Sequence, residues 1–230
     1  MKKPAPHFRP ALFQFLRELA VNNDRTWFAE NKARYEADVK GPLLAFIADF
    51  GPHLKKISRH YQADPRPVGG SLFRIHRDTR FSKDKTPYKT HASAQFRHEA
   101  GKDVHAPGYY LHLEPGSVFF GCGLWHPEPE PLQQIRARIA EDPKAWKKAV
   151  GAKAFTAHYQ LEGESLKRPP KGFDLDHPEL EAIKRKDFIG VTQFKERDAL
   201  SPDFLLQVAE RAKAGTPLMR FLTESIALPF

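Results

Sequence analysis

The sequence predicts an α+β domain: an antiparallel β-sheet meander in the middle of the chain, packed against N-terminal and C-terminal helices. Three observations predict it. The first sixty residues place apolar side chains at helical spacing, residues from about 70 to 126 switch to short alternating runs, and the remainder returns to the helical period. With no internal repeat and no low-complexity stretch, the chain reads as a single domain over 1–230, with helices over about 10–58, sheet over about 70–126 and helices over about 130–228.

The first helix follows from Pro10, suited to a first turn, with Leu12, Phe15, Leu16 and Leu19 on one face behind it. Asn22-Asn23-Asp24 then offers capping side chains for a second helix through Trp27, Phe28, Tyr35 and Val39, ending at the Gly41-Pro42 break. A third helix runs from Leu43 to about Ile57. Four strands are expected at Leu72–His76, Ala92–His98, Tyr109–Leu113 and Val118–Trp125, and Glu114-Pro115-Gly116-Ser117 is a tight-turn sequence for the last hairpin. Leu132, Ile135 and Ile139 mark a further helix, followed by a short one at Asp142–Trp146. The adjacent prolines Pro169 and Pro170 make 163–178 an extended loop. Ser201-Pro202-Asp203 opens a final helix through Phe204, Leu205 and Val208 toward Phe221.

Composition narrows the function classes. At 40% hydrophobic residues with 18 Phe there is ample apolar area to bury, and no run approaches the roughly 18 apolar residues of a membrane span, so no membrane partner is expected. The single cysteine, Cys122, excludes an intrachain disulfide and a thiolate metal cage, and the start of the chain lacks an apolar export segment, so a cytoplasmic location is expected. A net charge of +9 favours anionic partners, either phosphorylated or carboxylated small molecules or nucleic acid, although sign alone does not choose among them.

The densest chemistry lies in residues 74–88. If Leu72–His76 is a strand, Phe73 and Ile75 face the core while Arg74 and His76 face outward, with Arg77, Asp78 and Arg80 at the strand end. Arg74, Arg77, Arg80 and Lys85 together make an anion clamp, because guanidinium forks match phosphate and carboxylate geometry and the ammonium adds a point charge. Asp84 and Asp78 would orient these cations, Asp78 would serve as general base, and Tyr88 would donate to the ligand or to developing charge. The competing reading is that the same arginines pair with Asp78, Asp84 and carbonyl groups and merely staple a long loop to the sheet.

The spacing Arg74-x-x-Arg77-Asp78-x-Arg80-Phe81-x-x-Asp84-Lys85-x-x-Tyr88 resembles the signature of the DUF2461 family of bacterial conserved hypothetical proteins. The resemblance extends to Asn22–Lys32, to Pro107–His112 with Glu114-Pro115-Gly116, and to Lys184–Phe188, so it spans nearly the whole chain. It implies one domain of this length and singles out residues 74–88. It carries no mechanism with it.

Other candidates are thinner. Trp27, Asn31 and Tyr35 share a helix face at four-residue spacing; the aromatics read as core, while a buried Asn31 needs partners that the Arg-rich loop could supply. Of the 11 histidines, His76, His91, His98, His105, His112 and His126 fall in or beside the sheet. None forms a tight metal motif, and no metal or cofactor is assigned. His112 and Glu114 could share a strand face with His91 within reach across the sheet, but ordinary polar roles are the expectation. Ser71 lacks a nucleophile elbow, and Cys122 sits in an apolar strand that suits an inert thiol. A small anionic ligand held at 74–88 is therefore the leading reading. The second is a nucleic-acid-binding face that adds Lys184–Lys186 and Lys167-Arg168, with Phe81 or Trp125 for stacking. The third is an adaptor whose motif is a structural ion-pair network.

Overall fold

The computed structural model describes residues 5–101 and 107–230; His105 lies outside the described residues. α1 spans Pro10–Val21 with Pro10 in its first turn, and buries Leu12, Phe13, Phe15, Leu16 and Leu19. The predicted second helix is subdivided. Asp24 caps α2 (Arg25–Glu30) by accepting from the amides of Thr26 and Trp27 at 2.9 Å; α3 (Lys32–Arg34) then leads into a π-helical turn over Tyr35–Lys40. That turn runs directly into α4 (Gly41–Ile57), so Gly41-Pro42 does not break the path as expected. The wider turn brings Pro42, which has no N–H to donate, into the first turn of α4, where no intrahelical donor is required.

The sheet has five antiparallel strands in the order β1-β2-β3-β5-β4. β1 (Ala92–Arg97), β2 (Gly108–Glu114) and β3 (Ser117–Leu124) form the expected meander, with Pro115 and Gly116 turning the last hairpin; Gly116 takes φ +80°, which favours glycine. The chain then leaves the sheet through α5 (Pro129–Glu141), α6 (Pro143–Val150) and α7 (Lys153–Thr156). It returns as β4 (Gln160–Glu162) and, after α8 (Leu180–Ile183), as β5 (Phe188–Phe194), which pairs with β3. These last two strands lie beyond the stretch expected to supply the sheet. α9 (Glu196–Ala199) follows, and the expected single final helix is two, α10 (Phe204–Ala214) and α11 (Thr216–Ser225). They meet at Gly215, where a Cβ would stand 2.8 Å from Cys122 Sγ.

Residues 72–76 do not form the expected strand. Leu72 makes one bridge to Ala94 on the outer edge of β1, and the chain then turns away, so that His76 pairs with Tyr88 instead. The Arg77 amide donates to the Pro87 carbonyl at 2.9 Å and the Lys89 amide to Ile75 at 2.8 Å, which closes residues 74–88 into an irregular hairpin.

Strand alternation gives the sheet two different faces. Ala94, Phe96, Leu111, Leu113, Val118, Phe120, Leu124 and Phe188 point to the helices and are fully or almost fully buried; Phe50 of α4 meets Phe96 at 4.7 Å. Among the described residues, no helix lines the cleft on the opposite face. No helix among the described residues is long and apolar enough to cross a membrane.

Candidate functional site

Most of the charge in residues 74–88 is spent within the loop itself. Arg77 Nη1 donates to Asp84 Oδ2 at 2.5 Å, to the Thr86 carbonyl at 3.2 Å and to the Thr86 hydroxyl. Arg80 forks onto Asp78 at 2.7 to 3.2 Å, and the Lys85 ammonium donates to the Thr79 carbonyl at 2.9 Å. Asp78 is held down at about 2, chiefly by the Arg80 guanidinium. Asp84 is lowered first by the Thr86 amide, then by the Thr86 hydroxyl and Arg77. Tyr88 is buried and stacks on Phe28 at 4.1 Å, while Asn23 clamps its backbone from both sides: the Tyr88 amide donates to Asn23 Oδ1 at 3.0 Å and Asn23 Nδ2 donates to the Tyr88 carbonyl at 2.9 Å.

Asn31 stands apart from this loop. It donates to the Trp27 carbonyl and accepts from Arg34, which also reaches Glu18 at 2.7 Å. Trp27 and Tyr35 flank Phe15 at 5.6 and 5.9 Å as part of the aromatic core. Arg74 alone among the predicted cations is exposed with no hydrogen bond or ion pair among the described residues. The structure thus ties Arg77 to Asp84, Arg80 to Asp78 and Lys85 to the Thr79 carbonyl in separate short-range contacts and leaves Arg74 outside them.

A concavity lies on the face of the sheet turned away from the helices. A cleft of about 500 Å³ runs across it, lined by Phe73, Lys89, His91, Tyr110, Phe119 and Trp125 along one side and by Ile189, Val191 and Gln193 of β5 along the other. Its floor is bare where β3 carries Gly121 and Gly123. A Cβ at Gly123, at φ +135°, would come within 2.0 Å of the Phe188 carbonyl oxygen, whereas one at Gly121 would meet only the Gly190 carbonyl oxygen at 3.7 Å. Glycine at 123 is thus demanded by strand packing, while at 121 it leaves room. Lys89 is half-buried in the wall, its ammonium 5.1 Å from the Phe73 ring centroid and without a carboxylate partner among the described residues. Burial lowers its pKa, and Arg74 lowers it further.

At one end of the cleft, register assembles a cluster. Ser93 lies opposite His112 and Ala92 opposite Leu113, so His91 comes level with Glu114 at the start of β1. Donor atoms of His91, His112 and Glu114 lie within 4.8 Å of one another. His112 Nε2 is 3.1 Å from Glu114 Oε2, its Nδ1 is 3.0 Å from the Tyr110 hydroxyl, and Thr90 donates to Glu114 Oε1 at 2.8 Å. The His112 ring stacks on Phe119 at 4.6 Å, and the His91 ring sits 4.4 Å from it. Burial, reinforced by His112, pushes His91 down to about 4, and burial also lowers His112. For Glu114 burial acts upward, but the hydrogen bonds from Thr90 and His112 prevail and hold it below the usual carboxylate range. Both imidazoles are therefore neutral beside an ionised carboxylate at pH 7.

Lys89 lies one residue beyond the 74–88 segment that the sequence singled out, and Asp187 was visible only as part of the Lys184–Phe188 segment. Asp187 is 2% exposed and ties down both loops at the far end of the cleft, accepting from the His126 amide at 2.7 Å and from the Glu164 amide at 3.1 Å. The Arg185 guanidinium donates to the Asp187 carbonyl at 3.1 Å and to the Glu162 carbonyl, fixing β4 beside the cleft. A lone acidic residue between a basic triplet and an alternating apolar run was the available signal. Cys122 is buried with its thiol pushed up to about 12 by desolvation, so it is unreactive at neutral pH.

The family model for DUF2461, described as a conserved hypothetical protein, matches residues 11–221. No curated protein matches the chain.

Proposed function

The chain belongs to the DUF2461 family, and we propose that it binds a small molecule on the open face of its sheet, one with a flat or apolar body and a single carboxylate or phosphate. The body rests on Phe119, Trp125, Ile189 and Val191 over the Gly121 floor, and the anion meets Lys89 with Arg74 beside it. The carrying observation is Lys89: a half-buried ammonium without a counter-ion among the described residues costs free energy unless a ligand supplies the negative charge. In this reading Arg77, Arg80, Lys85, Asp78 and Asp84 shape the adjoining loop, Tyr88 anchors it to Asn23 and Phe28, and Asn31 takes no part.

The test is a thermal-shift screen of aryl and aliphatic carboxylates and phosphates, with titration calorimetry on each compound that shifts the transition. Lys89→Met is expected to weaken binding at least about tenfold, the worth of one charge-assisted hydrogen bond. Gly121→Val, whose side chain projects into the cleft without a close backbone contact, is expected to abolish binding while the far-UV circular dichroism stays unchanged. Absence of a shift with every anion, or affinities unaltered in both variants, would refute the reading. A response confined to oligonucleotides and falling steeply with salt would favour a nucleic-acid face instead.

A further inference from the structure

Beyond the cleft ligand, and without depending on it, we propose that His91, His112 and Glu114 hold one divalent first-row transition-metal ion at the end of the cleft. Two neutral imidazoles and one carboxylate are the donor set that such ions take, with the remaining positions open to water or ligand. Donors at metal–ligand distances near 2.1 Å stand about 3 Å apart. His112 Nε2 and Glu114 Oε2 already meet that spacing at 3.1 Å, and His91 lies within 4.8 Å of both. A modest rotation of the His91 side chain, which lines the cleft and makes no hydrogen bond among the described residues, closes the set.

The surroundings of the donors support a metal site over an incidental polar triad. The atoms of His112 and Glu114 that point away from the cluster each have a fixed partner, the Tyr110 hydroxyl at 3.0 Å and the Thr90 hydroxyl at 2.8 Å, so the remaining two atoms converge. The Phe119 ring stacked on His112 holds the imidazole plane. Without an ion, His112 Nε2–H donates to Glu114 and Nδ1 accepts from Tyr110. With an ion bound at Nε2, the imidazole proton sits on Nδ1 and donates to the Tyr110 oxygen, a tautomer change that needs no net proton loss. His91 faces the cleft, so the open positions of the ion do too.

The experiment uses the full chain after chelator treatment. Equilibrium dialysis against Zn²⁺ and the visible absorption of added Co²⁺ are compared for the unaltered protein and for His91→Gln, Glu114→Gln and His60→Gln. The last variant changes a histidine whose nearest carboxylate, Glu99, lies elsewhere in the fold. One ion per chain with Co²⁺ bands characteristic of mixed nitrogen and oxygen ligation is expected, weakened at least about tenfold by His91→Gln and by Glu114→Gln and unchanged by His60→Gln. Loss of binding in a variant counts only if its circular dichroism and melting temperature match those of the parent. If either fails that check, Tyr110→Phe replaces it, with a smaller weakening and intact Co²⁺ bands expected. No retained ion, or retention equal in all variants, overturns the proposal. Because the readout is metal alone, it stands or falls separately from the screen of organic anions.

Discussion

Arg77 lies inside the 74–88 segment and Lys89 one residue beyond its end, yet their surroundings give these two cations opposite roles. Arg77 commits its Nη1 to Asp84 and Thr86 within its own loop. Lys89 is half-buried over Phe73 and keeps its donors for something else. What separates a staple from a binding group is the count of satisfied donors rather than residue type. The same count picks out Tyr109, whose hydroxyl is buried on the helix side of the sheet with no hydrogen-bond partner among the described residues, while its ring packs against Phe120 at 5.8 Å and Tyr61 at 5.4 Å. Removing an unsatisfied buried hydroxyl forfeits no bond and relieves a desolvation cost. Tyr109→Phe is therefore expected to leave stability unchanged or raise it by about 1 kcal/mol in urea denaturation. A loss of that size would mean that the hydroxyl has a partner after all.

At the scale of elements, the 74–88 hairpin and the α2 region act as one brace: Asn23 holds both backbone polar groups of Tyr88, and Phe28 stacks on its ring. This gives a physical reason for two signature segments fifty residues apart to occur together. Asn23→Ala leaves a buried-side amide and carbonyl unpaired, and is expected to cost about 1–2 kcal/mol and to speed tryptic cleavage after Lys83 and Lys85. Cleavage at the parental rate would uncouple the two segments. The sequence made α1, the three strands of the meander and the Pro115-Gly116 turn legible, because each announces itself within a dozen residues. It misplaced Leu72–His76, which has strand alternation but loses its partner after a single bridge when His76 turns to Tyr88. It overlooked β5, whose Phe188–Phe194 alternation was present but whose pairing with β3 closes over more than sixty residues of helix and loop. His91, His112 and Glu114 were noticed as residues that register might gather. Register is a long-range property that alternation alone leaves open by two-residue steps, so only the pairing of β1 with β2 puts them together.

For the whole molecule, the helix side of the sheet concentrates weak acids in their neutral form. Cys122 and Tyr35 are pushed up to about 12, chiefly by burial, and Tyr61, Tyr109 and Tyr159 are raised as well, again chiefly by burial. The ordinary values are 9.0 for the thiol and 10.0 for the phenols, so above those values the unfolded chain releases protons that the native state still holds. With fewer protons bound in the unfolded state, stability falls as pH rises; the contribution is complete below the ordinary values and is lost on the way up to the folded ones. Each such group can contribute a slope of at most about 1.4 kcal/mol per pH unit. The melting temperature followed by circular dichroism is therefore expected to begin falling above pH 9 and to steepen past pH 10, as the phenols join the thiol. Cys122→Ala, compared with its own value at neutral pH, is expected to delay that onset toward the phenol range, and the thiol of the unaltered protein is expected to resist alkylation until the protein unfolds. A melting temperature constant to pH 11, or a thiol alkylated in the native state at neutral pH, would mean that these groups reach water and that the sheet is less tightly covered on its helical side than its packing implies.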